Sequence, residues 1–225
     1  VLQGMDYVGS ALFAFTGCLK AAVVAEMDVL GCCLVGFTTA AGGGTIRDLL
    51  LGQTPVFWMK SPQYIVLAVA TSLATFFLYP YFRTNKGLNF DENEQEIMNW
   101  ADAVSLGAFA CGGALNAMRR CVHPVVVVVC GLMTASFGGV IRDLLCQQRP
   151  WIFHRDSGLY ASTALGGATT FVVTTQYAPW PVGMLACIGV VVGLRYSSWK
   201  YGAALPLFDA GLGSKGKASE EGGKK

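Results

Sequence analysis

The chain has 225 residues, 53% of them hydrophobic and 13% charged, with a mean hydropathy of +0.49 and a formal net charge of +2. Soluble domains carry roughly 25% charged residues, so this composition argues for a membrane protein. The near-neutral balance, without a basic patch interleaved with aromatics, excludes nucleic acid as a partner.

Seven apolar stretches are long enough for a bilayer, which needs about 20 helical residues. They are expected near 7–25, 29–51, 62–82, 100–118, 123–145, 158–177 and 181–198. The first contains Lys20 and ends at Glu26-Met27-Asp28. Snorkelling to the interface is the simpler reading of Lys20, and a cavity-facing position near a gate is the sharper one. The second closes on AGGGTIRDLL, residues 41–50, and Pro55 to Pro62 turns the chain into the third. Arg83 to Asn99, with its DENEQE run, reads as a solvated linker. Arg119-Arg120 separates the fourth stretch from the fifth, which closes on SFGGVIRDLL, residues 136–145. Pro179-Trp180-Pro181 separates the last two. The tail from about Leu212 is polar and low in complexity, a composition that does not build a core.

The expected fold is therefore an all-α membrane protein with seven transmembrane helices. Residues 1–100 hold a three-helix repeat and the linker, and 101–178 a second repeat. Residues 179–200 hold the seventh helix, and 201–225 the tail.

No enzyme is legible. Six of the eight cysteines, Cys18, Cys32, Cys33, Cys111, Cys130 and Cys187, lie in apolar runs, where a free thiol packs as a small hydrophobe. There is no CxxC pair, and His123 and His154 find neither a metal-ligand spacing nor a nucleophile. No metal and no cofactor are expected. No cleavable signal pattern is visible at the start.

The repeat is the strongest signal. Asp6, Phe13, Gly17 and Leu19 match Asp102, Phe109, Gly113 and Leu115 at an offset of 96. At 95, Thr39 matches Thr134, Gly43-Gly44 match Gly138-Gly139, Ile46 to Leu50 match Ile141 to Leu145, and Pro55 matches Pro150. Three crossings per repeat make the two copies inverted, and inverted repeats with glycine-interrupted helices point to a pathway near the midplane. Glycine lets a helix unwind or kink cheaply. The freed carbonyls and N–H groups are tolerable only against protein or a wet path, to which Thr39, Thr134 and Ser136 would add hydroxyls.

Arg47 and Arg142 follow each glycine run by three residues, and a charge at that depth is by default a functional hypothesis. Asp48 and Asp143 are the nearest carboxylates, yet neighbours on a helix do not face each other. The following Asp stays open as each arginine's partner, beside freed carbonyls and the other repeat's Asp. A staple at the membrane edge is the alternative. Lysine and arginine placement sets the topology. Lys60, Arg119 and Arg120 fall on the N-terminal side. Arg83, Lys86, Arg149, Arg155, Arg195, Lys200 and four tail lysines fall on the other, which places the C-terminus in the cytoplasm or its equivalent and the N-terminus outside or in a lumen.

GGGTIRDLL and FGGVIRDLL, in two three-helix repeats followed by a seventh helix, resemble the trimeric intracellular cation (TRIC) channel family, most closely its prokaryotic-type branch, over roughly residues 5–200. The resemblance implies a homotrimer in membrane lipid, with one pore per protomer for monovalent cations, notably potassium, lined by kinked helices 29–51 and 123–145. It also implies that Gly42, Gly43, Gly44, Arg47 and Asp48 form one half of the constriction, and Gly138, Gly139, Arg142 and Asp143 the other. Phe137 stands where the first copy has Gly42, so the two halves are expected to differ in width. The Lys-Glu-Val motif of animal members is absent. Some descriptions of the same domain name it a glycine transporter, so a carrier of a small zwitterion stays open, as does a non-transporting accessory subunit.

Overall fold

Helix boundaries in the computed structural model, which describes residues 2–85, 90–150 and 160–202, follow local chemistry closely. Helix α1 (Leu2–Val23) gives way to a turn in which Glu26 adopts a left-handed φ of 49°. Asp28 then caps α2 (Val29–Leu50), its carboxylate accepting from the Gly31 N–H at 2.7 Å. That bond satisfies one of the donors a helix start leaves open. A single turn, α3 (Phe57–Lys60), lies in the Pro55–Pro62 segment and leads to α4 (Gln63–Asn85). Helix α5 (Phe90–Met118) is followed by α6 (Pro124–Leu145), whose N-cap is His123, with Nδ1 accepting from the Val125 N–H. Helix α7 (Tyr160–Tyr177) and α8 (Trp180–Tyr201) complete the chain, and α8 stops at Gly202 in a left-handed conformation.

All seven expected stretches are helical, with boundaries shifted by a few residues apart from the start of α5. The linker reading of 83–99 needs correction. Residues 83–85 end α4 and 90–99 open α5, since glutamate and glutamine are good helix formers whether or not they are solvated. Residues 86–89, His154 and the tail from 203 lie outside the described residues.

Among the described residues, four helices are long and apolar enough to cross a membrane by composition: Val29–Leu50, Gln63–Tyr81, Pro124–Leu145 and Trp180–Tyr201. Helices α1, α5 and α7 fall short because polar residues lower their hydropathy, several of them buried in the bundle and others, such as Thr169 and Gln176 of α7, exposed. Ser10, Thr16 and Lys20, then Asp102 and Ser105, then Thr163 are all inaccessible.

Helices α2 and α6 pack against each other at the centre, with α1 and α4 against α2, α5 and α7 against α6, and α8 against α5 and α7. The glycines explain how closely they pack. A Cβ on Gly43 would collide with the Thr134 carbonyl, and one on Gly138 with the Thr39 carbonyl. Both contacts join the same pair of repeat positions, taken in opposite directions. Gly17 meets Thr39 and Gly113 meets Thr134 in the same reciprocal way. Phe13 and Phe109, also matched in the repeat, meet with ring centroids 5.0 Å apart in the main core.

This geometry corrects the expected unwinding. Both α2 and α6 run as unbroken helices through their glycine runs. The residue type that can loosen a helix serves here to bring two backbones together, which small residues do in membrane bundles.

Candidate functional site

The repeat motifs build two clusters, one at each end of the α2–α6 pair. In the second-repeat cluster, Arg142 Nε donates to Asp143 Oδ1 at 2.8 Å, and its Nη1 lies 3.3 Å from Asp102 Oδ1 and 3.4 Å from the Thr16 hydroxyl. Lys20 Nζ donates to the same Asp143 oxygen at 2.8 Å. Arg195 of α8 approaches Asp102 Oδ2 at 3.6 Å, and its guanidinium lies 5.0 Å from the centre of the Tyr160 ring. Arg142, Asp102, Asp143 and Arg195 are each only 1% exposed, and Lys20 5%.

Two expectations change. Lys20 does not snorkel; it is buried and ion-paired across the bundle with Asp143, so reach toward the second repeat outcompetes reach toward the interface. Arg195, counted by sequence among the loop charges, is instead held inside the fold.

The first-repeat cluster starts alike and ends differently. Arg47 donates from Nε and Nη2 to Asp48 Oδ1 at 2.9 and 2.7 Å, and Asp48 Oδ2 accepts from the Phe57 N–H at 2.8 Å. Arginine and the next aspartate thus pair in both repeats. The spacing rule fails because a long guanidinium stem folds back onto its neighbour where hydrocarbon leaves no other acceptor. Short helix α3 owes its position to this carboxylate, which sequence did not reveal.

Beside Arg47 lies a cavity of about 110 Å³, bounded by Asp6, Gly44, Tyr64, Phe109, Gly112 and Asn116, with Thr134 at its α6 wall and Arg119 at its exposed edge. At the matched positions of the second-repeat cluster, Thr16, Lys20, Asp102, Arg142 and Asp143 are buried and bonded to one another. Gly112 stands where that half has Thr16, and Asn116 where it has Lys20, each at the offset of 96. Asn116 is turned to Gln53, from whose amide it accepts at 2.9 Å.

Apart from Gly44, Arg47 and Thr134, the motif residues pack rather than line that cavity, and even the Thr134 hydroxyl is used within its helix. The Thr39, Thr134 and Ser136 hydroxyls each donate at 2.6 Å to a carbonyl of their own helix, those of Val35, Cys130 and Leu132. Gly42 lies against the Ile141 side chain, Gly44 beneath the Phe57 ring, and Gly139 beneath the Tyr160 hydroxyl. Only Gly44, Arg47 and Thr134 of the sequence-selected residues reach the cavity. Asp6, Asp102, Tyr64 and Tyr160 were missed as site residues. The repeat match of Asp6 with Asp102 was the signal, and the equal offset of Tyr64 and Tyr160 would have extended it.

Comparison with known proteins agrees with the internal pattern. A family model described as glycine transporter matches residues 3–80 and again residues 99–176. The UPF0126 inner membrane protein YadS of Escherichia coli is 32% identical over 210 residues, covering 91% of this chain and 94% of its own. The UPF0126 membrane protein YvgT of Bacillus subtilis is 32% identical over 204 residues, covering 90% and 94%. The crystal structure of the TRIC trimeric intracellular cation channel orthologue from Rhodobacter sphaeroides superposes with a TM-score of 0.80 at 35% identity, over 90% of this chain and 98% of that one.

Proposed function

The chain belongs to the glycine transporter family, shares its fold with TRIC channels, and from that premise we propose that it is a passive channel for monovalent cations, potassium among them. The observation that carries this reading is the polar cavity beside Arg47. It reaches Gly44 of α2 and Thr134 of α6 at the positions the repeat singles out. A guanidinium already bound to Asp48 on two hydrogen bonds presents little net charge to a passing cation.

In this reading the path follows the α2–α6 seam. The protein is read as two inverted three-helix repeats, 1–100 and 101–178, with seven crossings. The mirrored glycine contacts support that arrangement. Helix α8 (Trp180–Tyr201), expected at 179–200, is an addition that seals the second-repeat end. Each protomer of a homotrimer carries its own path. With Arg195 removed from the loop tally, basic residues outside the tail number five (Arg83, Lys86, Arg149, Arg155 and Lys200) against three, still favouring a cytoplasmic C-terminus.

A liposome assay separates this function from its rival, a carrier for glycine. Vesicles loaded with potassium chloride and containing the protein are expected to lose potassium down its gradient, at rates that keep rising with concentration. Saturable glycine uptake, accelerated by glycine on the opposite side and without potassium leak, would assign the chain to the carrier class.

A further inference from the structure

The two repeat clusters hold different balances of charge, and the difference coincides with the cavity. Among the described residues, the second-repeat end brings three cationic groups (Lys20, Arg142 and Arg195) onto two carboxylates, Asp102 and Asp143. At the first-repeat end, Arg47 alone meets Asp6 and Asp48, with Arg119 at the exposed edge. The two missing cations have identifiable origins. Lys20 has Asn116 as its repeat mate, which is neutral and shorter. Arg195 lies on α8, outside the two matched repeats, and so has no repeat mate. Asp102 therefore bridges two arginines, whereas Asp6, half-buried, makes no hydrogen bond or ion pair among the described residues.

We propose that the cavity beside Arg47 is a binding site for one cationic group, a potassium ion or a primary ammonium, taking the electrostatic place that Lys20 and Arg195 fill at the other end. Asp6 supplies the charge. Asn116 supplies a carbonyl oxygen with a second lone pair beyond the one Gln53 uses. Tyr64 offers an aromatic ring, as its mate Tyr160 does to the Arg195 guanidinium. Gly112 in place of a threonine keeps the space open, since a Cβ there would stand 2.9 Å from Asp6 Oδ1. Arg47 and Arg119 are the cations that face the site. The first is neutralised by Asp48, and the second is screened by solvent. The site rests on the cation-channel reading for its physiological occupant, and its test does not use conduction.

Thermal unfolding of the detergent-solubilised full chain reads the site directly, with N-methylglucamine chloride holding ionic strength constant. Potassium or methylammonium at ten times its dissociation constant is expected to raise the wild-type midpoint by about 3–5 °C. A potassium-only response identifies the bare ion as the occupant, and a response to both identifies any small cation. Asp6→Asn is expected to lose the response while keeping the fold. Asn116→Lys, which installs the tethered ammonium of the other repeat, is expected to lose it as well. A wild type indifferent to both cations, a full response in Asp6→Asn, or a response to glycine alone would overturn the proposal. Potassium currents without the midpoint shift would remove the site and leave the channel. The shift without currents would do the reverse.

Discussion

Arg142→Ala is expected to destabilise the protein by about 3–5 kcal/mol, and Arg47→Ala by less than half of that. Removing the Arg142 guanidinium deprives two carboxylates, each 1% exposed, of hydrogen bonds at once, and breaking a buried pair on one side costs that much because the remaining charge stays buried. Lys20 and Arg195 remain to hold Asp143 and Asp102, which keeps the loss at the scale of one pair. Arg47 stands beside a polar cavity, and Asp48 keeps its bond to the Phe57 N–H when the arginine is gone. Water can enter there and replace what is lost. Unfolding in detergent with increasing denaturant measures both variants. Equal losses at the two sites would contradict the asymmetry between the two ends of the molecule.

The α2–α6 contact yields the second large effect. Gly43→Val and Gly138→Val each push a side chain into a carbonyl of the opposite helix, and each is expected to cost about 2–3 kcal/mol, the upper range for overpacking. The two costs are expected to agree closely because Gly43 against Thr134 and Gly138 against Thr39 are the same contact made once by each repeat. Gly189→Ala and Gly193→Ala on α8 serve as controls, since an added Cβ meets nothing within 4 Å at either position. The same unfolding assay reads all four. Tolerance of valine at Gly43 or Gly138 would show that the helices do not approach as described.

What could be read from sequence divides along a physical line. Helix positions were legible because hydrocarbon demands long apolar runs, and α2 and α6 came within one residue at each end. The short α3 was not legible, because it depends on a hydrogen bond from Phe57 to Asp48 across nine residues rather than on any local pattern. The repeat singled out residues of the two buried clusters, but not how they pair. Glycine runs were read for what they do to their own helix, when their effect is on the neighbouring one. Lys20 was assigned to the interface and Arg195 to the loop charges from chain position alone, a one-dimensional measure. Their partners Asp143 and Asp102 lie 123 and 93 positions away in the chain. The asymmetry itself was written in single substitutions between repeats, Gly112 for Thr16 and Asn116 for Lys20. It gains meaning only when the fold sets those positions around one space.

That asymmetry reframes α8. A simple inverted repeat would have equivalent ends. Here the added helix contributes Arg195, which stacks on Trp199 and Tyr160 and closes over Asp102, while the opposite end keeps its cavity. In the proposed function, one end is held shut by a buried ion network and the other admits the ion. Opening the full path then requires the Lys20–Asp143 and Arg195–Asp102 pairs to separate.

Single-channel recording in planar bilayers, with potassium chloride on both sides, tests the central claim most directly. Wild-type protein is expected to give discrete, cation-selective openings whose unitary size changes in Arg47→Ala. A folded and inserted wild type that stays silent across voltages of both signs, or whose openings prefer chloride, would contradict the account.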